Sequence, residues 1–238
     1  MKYRFSPSLL NTILTFLLVA LFIRLGQWQW DKAEQKRALQ STFDARLKEA
    51  PVALPQQVAD VEPWRYRRIR VQGQYEPSHQ ILLDNQMQDE AAGYHVLTPF
   101  KPVNSETRVL VDRGWIVMGD RSKLPQIATP QGAVSVVGFA WVPSLKFYEL
   151  QAPQDSATWQ LLWQNMDMRR YAKAVPFKVL PFVIRLDADS SAGGFVRGWA
   201  HPAERIEMHV GYAYQWYGFA VVLLLIYLVV NMKKKEHE

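Results

Sequence analysis

The sequence contains no cysteine. Disulfides, thiolate metal sites, iron–sulfur clusters and covalently attached c-type haem are therefore excluded together. Its five histidines (His79, His95, His201, His209 and His237) form no HxxxH or HExxH pair, so the usual zinc-enzyme pattern is missing. There is no GxSxG, no P-loop and no GxGxxG. Acyl transfer, phosphoryl transfer and dinucleotide binding lack their usual supports. Internal repeats and low-complexity tracts are also missing. Long hydrophobic runs are few: only Leu9 to Ile23 and Gly211 to Val230 could cross a bilayer, which excludes a many-span transporter. A broad basic surface is lacking too. The formal charge is +6, from 28 Lys and Arg against 22 Asp and Glu. Six of those cations (Lys2, Arg4, Arg24 and Lys233 to Lys235) and two of those anions (Glu236 and Glu238) lie outside residues 26–230, leaving a net of +2 between. That is no nucleic-acid footprint.

The two runs read as membrane spans. Gly211 to Val230 is 20 residues without charge, about 30 Å of helix, which matches the hydrocarbon core. It ends in Asn231-Met232-Lys233-Lys234-Lys235, and Lys2 and Arg4 precede the first run. Both basic clusters favour the cytoplasmic side. A cleaved signal peptide over residues 1–26 is the alternative, but Arg24-Leu25-Gly26-Gln27-Trp28-Gln29-Trp30 makes a poor cleavage site. With eight residues before the span, a mitochondrial transit peptide is not expected. The best placement is the bacterial inner membrane, multi-pass, with both termini cytoplasmic. The boundaries follow: 1–8 cytoplasmic tail, 9–26 first transmembrane helix, 27–208 periplasmic domain, 209–230 second transmembrane helix, 231–238 cytoplasmic tail.

After Gly26 the helix should continue. Gln27 to Glu49 has no proline or glycine, Leu39, Phe43 and Leu47 recur at four-residue steps, and Pro51 and Pro55 follow. Gly26 itself is expected to serve close approach of the second helix, opposite Gly211 or Gly218. Then the period changes to two. In Arg68 to Tyr75, Ile69, Val71 and Tyr75 point one way and polar residues the other. Further strands are expected at His79 to Leu83, Tyr94 to Phe100, Arg108 to Val117, Ala133 to Val142 and Phe182 to Leu186. Asp167 to Ala174 reads as a short helix, and Ser190 to Gly194 as a flexible loop. The fold class is α+β: a membrane protein with N- and C-terminal transmembrane helices flanking one β-rich exported domain, and a long helix continuing from the first span.

Candidate chemistry is sparse. Asp84, Asp112 and Asp187 lie in or at the ends of strands, where paired carboxylates can do acid–base work; turn and strand-end roles are the favoured account of them. Arg65, Arg67, Arg68 and Arg70 are split by strand alternation across two faces and read as solvated surface. His209, Tyr212 and Trp216 stand at i, i+3 and i+7 and share a helix face. If both tails are inside, Arg24, Trp28 and His209 lie at one membrane level. A histidine beside aromatic surface and an arginine suits a haem with its propionates towards water. Interfacial anchoring by an aromatic belt explains the same residues.

Several segments together resemble the Surfeit locus protein 1 family of cytochrome c oxidase assembly factors. Leu25-Gly26-Gln27-Trp28-Gln29 is similar to the family's LGxWQ motif, and Tyr66 to Tyr75 to its YRxVxVxGxY/F strand. Gly93 to Phe100 resembles the GxxVxTPF segment, and Leu110-Val111-Asp112-Arg113-Gly114-Trp115-Ile116 resembles LVNRGFV or LVDRGWI. His209 to Gly218 resembles the HLxYxxxWYG segment that opens the last helix. Glu207-Met208 stand where members often carry Asn or Arg-Asn, and Leu145 to Ala157 matches no family motif. The resemblance implies a non-enzymatic role in building haem–copper oxidases. It implies haem a as a transient cofactor, with the iron on His209, the family's proposed haem contact; the shared helix face and membrane level would put Tyr212, Trp216 and Arg24 around it. It implies cytochrome c oxidase subunit I, where the haem a3–copper centre forms, as partner, with haem a synthase as a second partner and membrane lipid around the spans. A biogenesis scaffold without cofactor, and a membrane-tethered periplasmic enzyme, are the alternatives.

Overall fold

The computed structural model describes residues 3–120, 123–144, 159–199, 202 and 205–234. His201, His237 and the unmatched stretch 145–157 lie outside them. The chain divides into two units. One comprises Met1–Thr42 with Ala200–Glu238, the other Phe43–Trp199.

The first unit is an antiparallel helix pair. Helix α1 covers Leu9–Lys48, 40 residues or about 60 Å. Pro7 precedes it, and the Ser8 hydroxyl accepts the Asn11 backbone N–H at 3.2 Å, supplying a partner for an otherwise orphan donor. Arg46 and Lys48 occupy its last turn, where cations complement the helix dipole. A second long helix, Ile206–Asn231, closes the unit; it is α3, since a short helix intervenes. Both helices are long and apolar enough to cross a membrane. Strand β1 (Tyr3–Phe5) pairs antiparallel with the last strand, β10 (Met232–Lys234), matching Arg4 with Lys233. The N-terminal end of α1 therefore lies beside the C-terminal end of α3. Thr12 and Tyr227 share a hydroxyl–hydroxyl hydrogen bond of 2.8 Å.

The second unit holds eight strands: β2 (Val52–Ala53), β3 (Arg68–Tyr75), β4 (Ile81–Gln88), β5 (Ala91–Pro102), β6 (Arg108–Val117), β7 (Val134–Trp141), β8 (Leu162–Trp163) and β9 (Val179–Leu186). Helix α2 covers Met168–Ala174, and the Asp167 carboxylate caps it by accepting from the N–H groups of Arg169 and Arg170. The strands run in the order β3-β7-β9-β6-β5, and the end of β5 pairs back onto β3, so five strands close a barrel. Gly73 permits the closure: a Cβ there would lie 2.1 Å from the Lys101 carbonyl oxygen. Inside stand Ile69, Val71, Phe100, Val111, Phe182 and Ile184, all buried. Strand β6 is buried on both faces, because α2, β8 and Trp163 cover the side that carries Leu110. The last turns of α1 belong to this unit. Phe43 meets Tyr66 and Phe139 edge-on at 5.0 and 5.5 Å, and half-buried Leu47 and Trp199 join them.

Strands β3 and β6 have the expected bounds. The hairpin of β4 and β5 is longer than expected, turning on Asp89 and Glu90, both at positive φ (47° and 64°); such a turn usually carries Asn-Gly or Asp-Gly, and neither is present. His79 ends a 3-10 turn rather than starting a strand. The loop expected to be flexible, Ser190 to Gly194, is tied down: Ala192 is buried and its carbonyl accepts the Tyr75 hydroxyl, while Arg197 donates to the Ser190 carbonyl. Leu39 is 36% exposed, so only the last two members of the expected Leu39-Phe43-Leu47 face pack into the core.

Candidate functional site

On α1 Thr15, Val19, Gly26 and Ala33 are buried, and with half-buried Phe22 and Gln29 they form a row at alternating steps of four and three. On α3 the corresponding row includes His209, Ala213, Tyr217, Ala220, Tyr227 and Asn231. Such spacing keeps one seam of each helix on its partner. Gly26 is at the tightest point, but the expected glycine-to-glycine approach is not what fills it. A Cβ on Gly26 would lie 2.5 Å from the ring of Tyr217, whereas Gly211 and Gly218 have nothing within 4 Å. An aromatic ring, not a second glycine, occupies the space.

One turn beyond Gly26, Gln29 reaches His209. Its Oε1 lies 2.8 Å from His209 Nδ1. His209 is half-buried in the first turn of α3, and its other ring nitrogen, Nε2, has no hydrogen-bond partner among the described residues. Glu207 stands in the same turn, where a carboxylate favours the helix N-terminus. Trp216 packs against Phe22 and Phe219, with ring centroids 5.7 and 5.8 Å away. Tyr212 is 45% exposed. Arg24 is exposed, and at about 100° per residue it points to the side of α1 away from Gly26. The structure thus brings His209 and Trp216 onto the seam, leaves Tyr212 at its margin, and places Arg24 off it. From sequence Gln29 enters only as the last residue of the LGxWQ segment, with no role assigned; the heptad phase it shares with Phe22, Gly26 and Ala33 is the signal that could have found that role.

The barrel carries a second polar cluster. Asp112 is fully buried on β6 and accepts from His95 Nδ1 at 3.1 Å and from the Gly114 N–H at 3.2 Å. Its other oxygen faces Arg185 Nε at 3.6 Å, an ion pair too long for a hydrogen bond. The Arg185 guanidinium lies 4.0 Å from the ring centroid of Trp141 and 5.1 Å from that of Trp199. Burial pulls its pKa below the ordinary value, while the Asp112 carboxylate opposes that shift. His95 stacks on Trp199, which donates its indole N–H to the Leu186 carbonyl. Neighbouring Arg113, also buried, closes one end of the barrel between Tyr75 and Phe195 and donates to the Ala128 carbonyl at 2.6 Å.

These bonds give the three candidate carboxylates separate structural work. Asp84 accepts from the adjacent Asn85 N–H, Asp187 pairs with Arg68, and Asp112 anchors the cluster just described. Among the described residues no two of them share a hydrogen-bond partner. The arginine run is likewise divided: Arg65 pairs with Glu62, Arg67 lies over Trp64, Arg68 meets Asp187, and Arg70 is exposed. Among the described residues no group of three His, Asp or Glu side chains could hold a metal ion.

The family model described as the SURF1 family matches residues 16–221, a stretch that includes the barrel, His209 and most of the seam. This chain belongs to the SURF1 family. Among its relatives is a SURF1-like protein of Rickettsia conorii, 26% identical over 228 residues, covering 94% of this chain and 92% of that protein. The Surfeit locus protein 1 of Xenopus tropicalis is 24% identical over 251 residues, covering 96% of this chain and 78% of the frog protein. The cytochrome oxidase assembly protein SHY1 of Saccharomyces cerevisiae is 27% identical over 124 residues, half of this chain and 32% of the yeast protein. The SURF1 match thus spans both units, and the helix pair is as much a part of the family pattern as the barrel.

Proposed function

We propose that this SURF1-family chain is a membrane-anchored assembly factor for haem–copper (cytochrome c) oxidase, and that it contacts haem a through His209. A role in oxidase assembly is supported by family membership and by the name of the yeast relative. The haem reading rests on one observation: a half-buried imidazole at the end of a long apolar helix, held through Nδ1 and with Nε2 unpartnered among the described residues. Imidazole is a common axial ligand to haem iron, so these residues fit the group. His209 Nε2 would hold the iron and Tyr212 would face the macrocycle. Trp216 would back the site from within the seam. Arg24 is a propionate partner only for a haem reaching round α1. Haem a supplies its redox chemistry to the oxidase; this chain holds and presents it.

In this reading the protein lies in the bacterial inner membrane, with residues 9–26 and 209–230 spanning and 27–208 periplasmic. Arg4 and Lys233, side by side in the paired tails, support a cytoplasmic position for both termini. Subunit I, as its haem a3–copper centre forms, is the partner, and haem a synthase the source. Alkaline phosphatase fused within 27–208 should be active, and fused after Glu238 inactive; the reverse pattern would overturn the topology. Protein purified from cells that make haem a should show a Soret band. His209→Ala should abolish or shift it at equal protein level, and identical spectra would remove His209 from the site.

A second reading, a scaffold that binds no cofactor, is favoured by one feature. His209 and Trp216 already have partners within the helix pair. Absence of any Soret band together with normal oxidase maturation would select it.

A further inference from the structure

We infer that Gln29 is the positioning residue for His209: its side-chain carbonyl, presented by α1, sets the tautomer and the ring orientation of an imidazole carried by α3. The inference rests on the haem reading above and goes beyond it, because it assigns a role to a residue on the other helix. The geometry is specific. Gln29 Oε1 lies 2.8 Å from His209 Nδ1, and a carbonyl oxygen can only accept. Nδ1 must then carry the proton, which leaves the lone pair on Nε2, the nitrogen without a partner among the described residues. A histidine that ligates a metal through one nitrogen characteristically donates the other N–H to such an acceptor, which fixes the ring and raises its basicity. Here the acceptor is built into the helix packing. Gly26 lets the ring of Tyr217 sit where a side chain would stand, at a distance that would be 2.5 Å from a Cβ. That close approach, one turn from Gln29, brings the amide within reach of the facing helix. Ala213 and Ala33, both fully buried, keep the seam narrow on either side.

The test uses the full chain in detergent, with and without haem. In the haem-free protein labelled with 15N-histidine, the His209 signals, assigned by their loss in His209→Ala, should show a protonated Nδ1 and an unprotonated Nε2. Gln29→Leu should lose that preference and weaken haem affinity by about 10–100-fold, the usual loss when the acceptor behind a metal-bound histidine is removed. Gln29→Glu offers a stronger acceptor. It should keep the tautomer, restore affinity and lower the haem midpoint potential, which a purely structural role for Gln29 would leave unmoved. An Nε2–H tautomer in the wild type, or the same tautomer in Gln29→Leu, would overturn the inference. So would unchanged affinity in Gln29→Leu with wild-type spectra, although His209 would stand as ligand. A pinned tautomer in a wild type that takes no haem would instead sink the haem reading and leave Gln29 as the residue that orients the ring.

Discussion

The helix pair and the barrel treat polar groups in opposite ways. In the pair, apolar side chains face outward, with Leu9 78% and Val229 67% exposed. Two polar contacts across its seam, Thr12 with Tyr227 and Gln29 with His209, involve no carboxylate, lysine or arginine. In the barrel, apolar residues such as Ile69 and Phe182 are wholly inside, yet full charges are buried among them at Asp112, Arg113 and Arg185. The seam, whose outer faces are apolar, matches each of these groups with one partner. A core surrounded by water tolerates buried charges, provided rings and carbonyls enclose them.

Removing a buried charge should break this contrast most severely. Asp112→Ala strands Arg185 and His95 and should destabilise the barrel by about 3–5 kcal/mol, the usual cost of an uncompensated buried partner. Chemical unfolding followed by tryptophan fluorescence in the full chain would measure it. The same substitution at Asp84 should change little, and equal losses at the two positions would contradict the contrast.

The helix pair should respond to volume rather than charge. Gly26→Leu drives a side chain into the Tyr217 ring and should cost about 1–3 kcal/mol, as overpacking does. It should also part Gln29 from His209. Adding Tyr217→Ala should recover most of the loss. A double variant no better than the single one would place the conflict elsewhere in the seam.

The smallest effect is expected at the barrel surface. The Glu62 carboxylate is held below its ordinary pKa chiefly by its hydrogen bond to Arg65, against a small opposing effect of burial. A depressed carboxylate contributes stability above its unfolded value, about 4.3, and loses it as pH falls through the folded value. Because Glu62 is 62% exposed, the pair should be worth less than about 1 kcal/mol. Wild type and Glu62→Gln should differ slightly at neutral pH and converge in acid. A gap that widens in acid would reverse the sign.

Much of the barrel was legible in sequence because its strands alternate. Ile69, Val71 and Tyr75 point inward as their spacing requires, and β6 has its expected ends. Closure was not legible. Nothing in Gly73 announces that Lys101 will cross it, and the Asp89–Glu90 turn lacks the glycine that marks such hairpins. At the candidate site, His209 and Trp216 were visible as one helix face. The role of Gln29 was not, although the residue ends the LGxWQ segment, since which face of a helix meets a partner depends on where the partner is. Arg24 was placed by membrane depth alone. Depth says nothing about azimuth, and the helix turns Arg24 away from the seam.

The Gln29–His209 contact joins residues 180 positions apart in the chain. During synthesis, at about 5–20 residues per second, Gln29 waits on the order of 10–40 s for its partner to emerge. The whole barrel is translated in that interval. The imidazole is the later of the two to appear, so a chain that stops before His209 carries Gln29 without its partner. The order of the two residues in the chain thus puts the formation of this contact after the translation of the barrel.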